Sequence, residues 1–438
     1  RVFVLTARAL KEYEKLIKQD MENYEVYAGN LKAGGYVEHL SGQGGTYAQN
    51  LWTRLFESHS NQADVYSPSA YTWDNMGLLL HRAILSKDYA LAQGILGFSS
   101  DYFNAVTKSG RDFNGIPQSF NAHTAEPAAI SDIDIAVTAA LGWEIMQYEA
   151  ATGDKQYSHM LKPIAKWLLA MQEEYGKGGL RQVPQVKEMK EHPELIQKFA
   201  EPNAIAYAFL SNYAQKYGES EYKNAAEGIL TWVKDKLWDK EKGLIRYGEG
   251  KEGFSADAQS RWILVLGPDK FMQEFKMTPE QFWAYLERIE KAFGVKVDYL
   301  SSKGNFTAGV ELFDLADEVV AKSRKVKDDE EIKRIGFPEV TSEMVGVYKE
   351  ARKHFANLGL RDLAEKAKTK AEHYAAQLNR IKGVNNTLPQ ATEMGAYTGF
   401  GTYTPRGDKS LGPLVQYEIS VVSGDNMWTF AREIDESS

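Results

Sequence analysis

The chain contains no cysteine. That removes disulfides, thiolate nucleophiles and thiolate metal sites in one step. It leaves the compartment open, since exported proteins also do without cysteine. The sequence has no excess of basic residues either: Lys and Arg total 52 against 60 Asp and Glu, a net charge of −8. A nucleic-acid partner needs a basic face, so none is expected. Long apolar runs are missing, and the longest, such as "WILVLG", have the size of core segments, so no membrane span is expected. The 8 histidines show no HxxxH or HExxH spacing, and His81 and His123 stand alone. Each reads as a hydrogen-bonded polar residue, so neither metal nor cofactor is expected. The first residue is Arg rather than Met, and an extracytoplasmic place (secreted, periplasmic or cell surface) is the expectation.

What is present supports a large packed core. Of 438 residues, 43% are hydrophobic and 26% charged. Aromatics reach 12%, with 24 Tyr, 19 Phe and 9 Trp. Most such side chains fill cores. A surplus also suits sugars, because a pyranose has a C–H-rich face that packs on a ring.

Helical periodicity dominates, and alternating strand patterns are scarce. "DIAVTAALGWEIMQYEAATGDKQY" is apolar almost throughout and stops at Gly153, a C-cap signal. An amphipathic helix follows in "KQYSHMLKPIAKWLLAMQEEYG". The same couple recurs in "YTWDNMGLLLHRAILSKDYALAQGILGFSSDYF", in "EPNAIAYAFLSNYAQKYGESEYKNAAEGILTWVKDKLWD", in "FSADAQSRWILVLG" with "TPEQFWAYLERIEKAF", and in "TSEMVGVYKEARKHFANLGLRDLAEKAKTKAEHYAAQL". A sixth inner helix is expected at "LGPLVQYEISVVSG". Its partner would be the N-terminal "RALKEYEKLIKQDMENYEVYA", so that the chain ends meet. Six hairpins with apolar inner and amphipathic outer helices predict an all-α (α/α)6 toroid, a single domain over residues 1–438 with long functional loops at one mouth. The charged run "DEVVAKSRKVKDDEEIKR" reads as a solvated helix or insertion.

Carboxylates recur where inner helices begin: Asp74, Asp132 and Asp134, Glu201, Asp257 and Glu343. Helix physics alone explains some of them. Ser131 reads as an N-cap with Asp134 reaching back, and acids suit the dipole of a first turn. Yet acids gathered at one mouth repel each other. Splitting their pKa values into an acid and a base is the usual reason for such convergence. Asp134 therefore reads mainly as a helix start and Asp132 mainly as a site residue.

The run Ala-Ile-Ser-Asp-Ile-Asp-Ile-Ala from Ala129 to Ala136 resembles the signature of glycoside hydrolase family 8, within the six-hairpin toroid glycosidases. "SADAQSRW" is similar to the motif that carries that family's catalytic base, and "TWDNMGLLL" to the one that carries its acid. The first aspartate of the family run has no counterpart here, and Asp74 stands where the family has Glu. The resemblance implies hydrolysis of a poly- or oligosaccharide by a carboxylate pair, with inversion. Asp257 would be the base and Asp132 would hold a distorted ring. The acid would be Asp74, or Glu343, since other toroid glycosidases place acids on the fifth inner helix. Substrate contacts would come from Tyr71, Trp73, Phe113, Glu201, Arg261, Tyr397, Phe400 and Tyr403.

Two other readings fit the same residues. A polysaccharide lyase would use Arg111, Arg181, Arg246 and Arg261 against uronate charge. A non-catalytic carbohydrate-binding or assembly protein on a degenerate hydrolase scaffold would keep the aromatics and tolerate loss of one acid. Prenyltransferases and lanthionine cyclases need a cysteine ligand and are excluded. "DIDI" is not the acid of a class II terpene cyclase, and "KDDEE" is not a DDxxD metal motif.

Overall fold

The computed structural model describes residues 69–108, 113, 115–121, 133–174, 177–182, 197–301, 304–324, 332–382, 388–389, 391–393 and 416–422. The chain forms two compact units, residues 1–171 with 384–386, and residues 172–383 with 387–438.

In the first unit, strand β1 (Ser69–Tyr71) pairs antiparallel with β2 (Ser119–Asn121). A π-helical segment, Trp73–Leu79, runs into α1 (Leu80–Leu85), and α2 is Tyr89–Lys108. α3 (Ile135–Thr152) is buried at every position from Ile135 to Glu149. Its lack of a polar stripe reflects burial on all sides. It ends at Gly153, whose φ of 73° brings its N–H to the Glu149 carbonyl. The outer helix α4 (Leu161–Ala170) stops early, and the "QEE" expected to continue it is strand β3 of the second unit.

In the second unit, β3 (Gln172–Glu174) pairs with β4 (Lys177–Leu180), β5 (Trp238–Asp239) with β6 (Leu244–Ile245), and β7 (Gly294–Leu300) with β8 (Phe306–Phe313). The helices are α5 (Ala200–Tyr217), α6 (Ser220–Trp232), α7 (Ala256–Phe275), α8 (Pro279–Phe293), α9 (Glu318–Ala321), α10 (Pro338–Asn357) and α11 (Arg361–Arg380). α7 breaks at Gly267, where φ is 74°, just before Pro268, which has no N–H to donate. The outer helices are amphipathic as expected. α8 buries Phe282, Trp283, Tyr285, Leu286, Ile289 and Phe293, behind a Thr278–Gln281 capping box.

Two expectations need correction. The β7–β8 ribbon was not anticipated, although "GVKVDYL" and "FTAGVELF" alternate weakly. The described start of the run from Asp317 is only a four-residue helix, α9, and Arg324 beyond it is buried, donating to both oxygens of buried Asp314 at 2.7 and 2.8 Å, while residues 325–331 lie outside the described residues. The sixth hairpin and the meeting of the chain ends lie outside the described residues, apart from a π-helical segment at Glu418–Val422.

One device recurs at the start of four inner helices. The fourth residue of α3, α5, α7 and α10 is polar and fully buried: Thr138, Asn203, Gln259 and Thr341. Each side chain donates to the backbone carbonyl four residues earlier, on Asp134, Phe199, Ser255 and Phe337. Each also accepts a backbone N–H from the segment leading in, from Ile116, Leu180, Ile245 and Phe313 at 2.7–3.0 Å. The last three close β4, β6 and β8. A buried helix start needs partners for its backbone groups, and one side chain supplies two. Thr341→Val keeps the shape and leaves the Phe313 N–H buried without an acceptor. It should cost about 2 kcal/mol in urea-unfolding stability.

Candidate active site

In the second unit the starts of α5, α7 and α10 are fastened to one another. The Trp262 indole donates to the Ala200 carbonyl at 2.9 Å. The strap after β8 serves α7 and α10 together: Ala256 N–H donates to Leu315 O, and Ile335 N–H to Asp314 Oδ2. Asp314 also accepts from Arg334 at 3.0 Å. With the starts fixed, helix spacing decides which side chains meet. Asp257, Ser260 and Arg261 stand at i, i+3 and i+4, on one face of α7, and Glu339 and Glu343 at i and i+4, on one face of α10.

Arg261 is the centre of the cluster. Its side chain is 8% exposed. Nε donates to Glu343 Oε1 at 2.9 Å, Nη2 approaches Glu339 Oε1 at 3.5 Å, and Nη1 pairs with Glu201 of α5. The second oxygen of Glu343 accepts from Ser260 Oγ at 2.6 Å. Glu343 is thus 2% exposed with both oxygens engaged, whereas Glu201 and Glu339 remain 23% and 24% exposed. Asp257 is partly buried and accepts from the Ala258 N–H at 2.7 Å. Burial first, and then the nearby Glu343 charge, pushes its carboxyl up to about 6, against the lowering pull of Ser255 and the backbone N–H groups.

Four of the residues singled out in the sequence are therefore brought together: Glu201, Asp257, Arg261 and Glu343. Glu343 lies in the second turn of α10, not the first. Glu339 and Ser260 belong to the same cluster and were missed. The i, i+4 spacing of Glu339 with Glu343 was the available signal.

In the first unit, Asp134 is the N-cap of α3 in place of Ser131. It accepts from Ala136 N–H at 2.6 Å, and its other oxygen accepts from Gln118 at 3.2 Å. The cap falls three residues after the expected one, so Asp134 acts as the helix start. Asp74 is buried in the Trp73–Leu79 segment, which Thr72 ties to Pro117 O at 2.6 Å. Trp73 is partly buried, and its ring covers Gly77 so closely that a Cβ there would lie 2.9 Å from it. Tyr71 ends β1 opposite Ser119. Phe113 packs its ring on Phe103, centroids 5.2 Å apart. His81 is fully buried against Glu144 at 3.1 Å, and burial pushes that carboxyl up while His81 pulls it down. Asp132, Tyr397, Phe400 and Tyr403, with His123 and Arg111, lie outside the described residues. Among the described residues no three His, Asp or Glu gather as a metal site, and no helix is long and apolar enough to cross a membrane.

No protein-family model and no curated protein sequence matches the chain. Solved structures do. A glycosidase in complex with glucose is 12% identical, covering 94% of this chain and 98% of its own, with a TM-score of 0.51. A cellobiose 2-epimerase from Bacillus thermoamylovorans is 12% identical, covering 88% and 93%, with a TM-score of 0.52. The chain has the fold of these (α/α)6-toroid carbohydrate-active proteins.

The Asp257 carboxyl, raised in the fold, favours the protonated form. The stability this contributes is complete below about pH 4 and is lost as pH rises through about 6. Asp257→Asn should therefore gain on wild type between pH 4 and 7, by on the order of 2 kcal/mol. Paired denaturant titrations across that range check the sign.

Proposed function

We propose that this chain is a glycoside hydrolase acting on a poly- or oligosaccharide. The observation that carries the reading is Asp257, its carboxyl held up near neutrality, beside the solvent-reachable glutamates of an arginine-centred cluster at three helix starts. A raised carboxyl next to ionised ones is the arrangement that separates acid from base. Asp257 gives its proton to the glycosidic oxygen as that bond breaks. Glu201 or Glu339 takes a proton from the water that attacks the anomeric carbon. This reverses the base role that the family resemblance implies for Asp257. Inversion follows from direct attack by water, which needs roughly 6.5–9.5 Å between the two carboxyls.

The same geometry weighs against a lyase. Arg261 is committed to glutamates and Arg246 to Asp239 at 2.5 Å, which leaves both poorly placed for uronate charge. The test is reducing-sugar release from β-glucans, xylan, chitosan, α-glucans and uronate polymers. Asp257→Asn should lose at least about 10²-fold in turnover on the polymer that wild type cleaves. Unsaturated uronate products would make the chain a lyase. An altered sugar configuration without cleavage would make it an epimerase. Equal binding by both proteins without turnover would leave a carbohydrate-binding protein.

A further inference from the structure

The backbone at the starts of α5, α7 and α10 is held by bonds in which Arg261 takes no part. At α5, Ala200 N–H donates to Tyr247 O at 2.9 Å, the Trp262 indole donates to Ala200 O, and Asn203 ties Phe199 to Leu180. At α10, Phe337 N–H donates to Phe313 O at 2.8 Å, and Thr341 binds the same two residues again. At α7, Ala256 is fastened to Leu315 and Gln259 to Ile245. These bonds place the Cα atoms of Glu201 and Glu339. They do not place the carboxyl groups, because a glutamate has several further torsions and the last is broad. A glutamate at the edge of solvent keeps that freedom unless something takes it away.

Arg261 takes it away. Its Nε donates to Glu343 Oε1 at 2.9 Å, and the other Glu343 oxygen accepts from Ser260 Oγ at 2.6 Å. Ser260 and Glu343 are buried, so this end of the guanidinium is anchored. The other end meets the two glutamates that reach solvent. Nη1 pairs with Glu201 of α5, and Nη2 lies 3.5 Å from Glu339 Oε1 of α10. Each nitrogen thus meets a different glutamate, and the planar fork fixes the angles between them.

We propose that Arg261 is a positioning residue: anchored through Glu343 and Ser260, its guanidinium holds the carboxylates of Glu201 and Glu339 where one of them takes a proton from the attacking water. This replaces the substrate contact that the family resemblance implies for Arg261, and it rests on reading the cluster as a sugar-processing site. A guanidinium already shared among three carboxylates offers little to a neutral sugar. A base displaced by about 1 Å can lose on the order of 10²-fold in rate, so this hold matters to turnover rather than to the fold.

The test compares crystal structures of wild type and Arg261→Lys, and their steady-state kinetics on the polymer that wild type cleaves. Lysine keeps a positive charge beside buried Glu343 but has no fork. The starts of α5, α7 and α10 should superpose on wild type, while the Glu201 and Glu339 carboxyls leave their places. Turnover should fall about 10²-fold with KM nearly unchanged. Displaced helix starts overturn the proposal, because Arg261 then holds the fold. Glutamates that stay in place overturn it too. So does a raised KM with turnover kept, the mark of a substrate contact. If Arg261→Lys does not fold, Ser260→Ala decides, since it keeps the guanidinium and loosens its anchor. Its turnover should fall about tenfold at unchanged KM, and wild-type turnover overturns the proposal. Failure of the hydrolase reading shows separately, as a wild type that cleaves no polymer, and the crystal structures still decide on Arg261.

Discussion

A helix that starts inside a protein has backbone groups with nowhere to go, and this constraint governs the molecule. The fourth residues of α3, α5, α7 and α10 are fully buried, so there the chain supplies its own partners. Thr138, Asn203, Gln259 and Thr341 each give a proton to the carbonyl behind and take one from the incoming strand or loop. An unmet backbone group costs roughly 1–3 kcal/mol, so each brace holds one helix start in one place. Asp257, Arg261 and Glu343 all lie within two turns of a brace. The precision of the cluster is inherited from the backbone that carries it.

Arg261 then converts that placement into electrostatics. Three glutamates from two neighbouring helices share one guanidinium. Burying a charge is tolerable only when it is paired and hydrogen-bonded. The planar fork of arginine meets several carboxylates at once, which a lysine ammonium does not do with fixed geometry. The acids outnumber the cation, and Arg261 holds Glu201, Glu339 and Glu343 but not Asp257. Burial first, and then the nearby Glu343 charge, raises its carboxyl.

Much of this was legible in the residues. The apolar run of α3, the Gly153 stop, the break at Gly267-Pro268 and the apolar/amphipathic couples are statements about burial, and burial leaves a mark on composition. The convergence of Glu201, Asp257, Arg261 and Glu343 followed from placing acids at successive helix starts. The braces were hidden, because Thr, Asn and Gln do one job at unequal intervals and no residue type repeats. The β7–β8 ribbon was hidden because Lys296, Asp298 and Glu311 interrupt its apolar alternation. The partners of Glu343 were hidden too, since sequence shows a carboxylate but not how many of its oxygens are already occupied.

The bonds that make the cluster span long stretches of chain: 82 residues from Arg261 to Glu343, 83 from Ser260 to Glu343, and 62 from Trp262 to Ala200. Each hairpin, by contrast, closes over short loops. Loop-closure entropy makes the short contacts form first and the long ones last. Without α10 docked, Arg261 lacks Glu339 and Glu343, and Asp257 lacks the Glu343 charge that adds to the effect of burial. Proton affinity at that carboxyl therefore depends on contacts between segments far apart in the chain, and it reports whether they have closed.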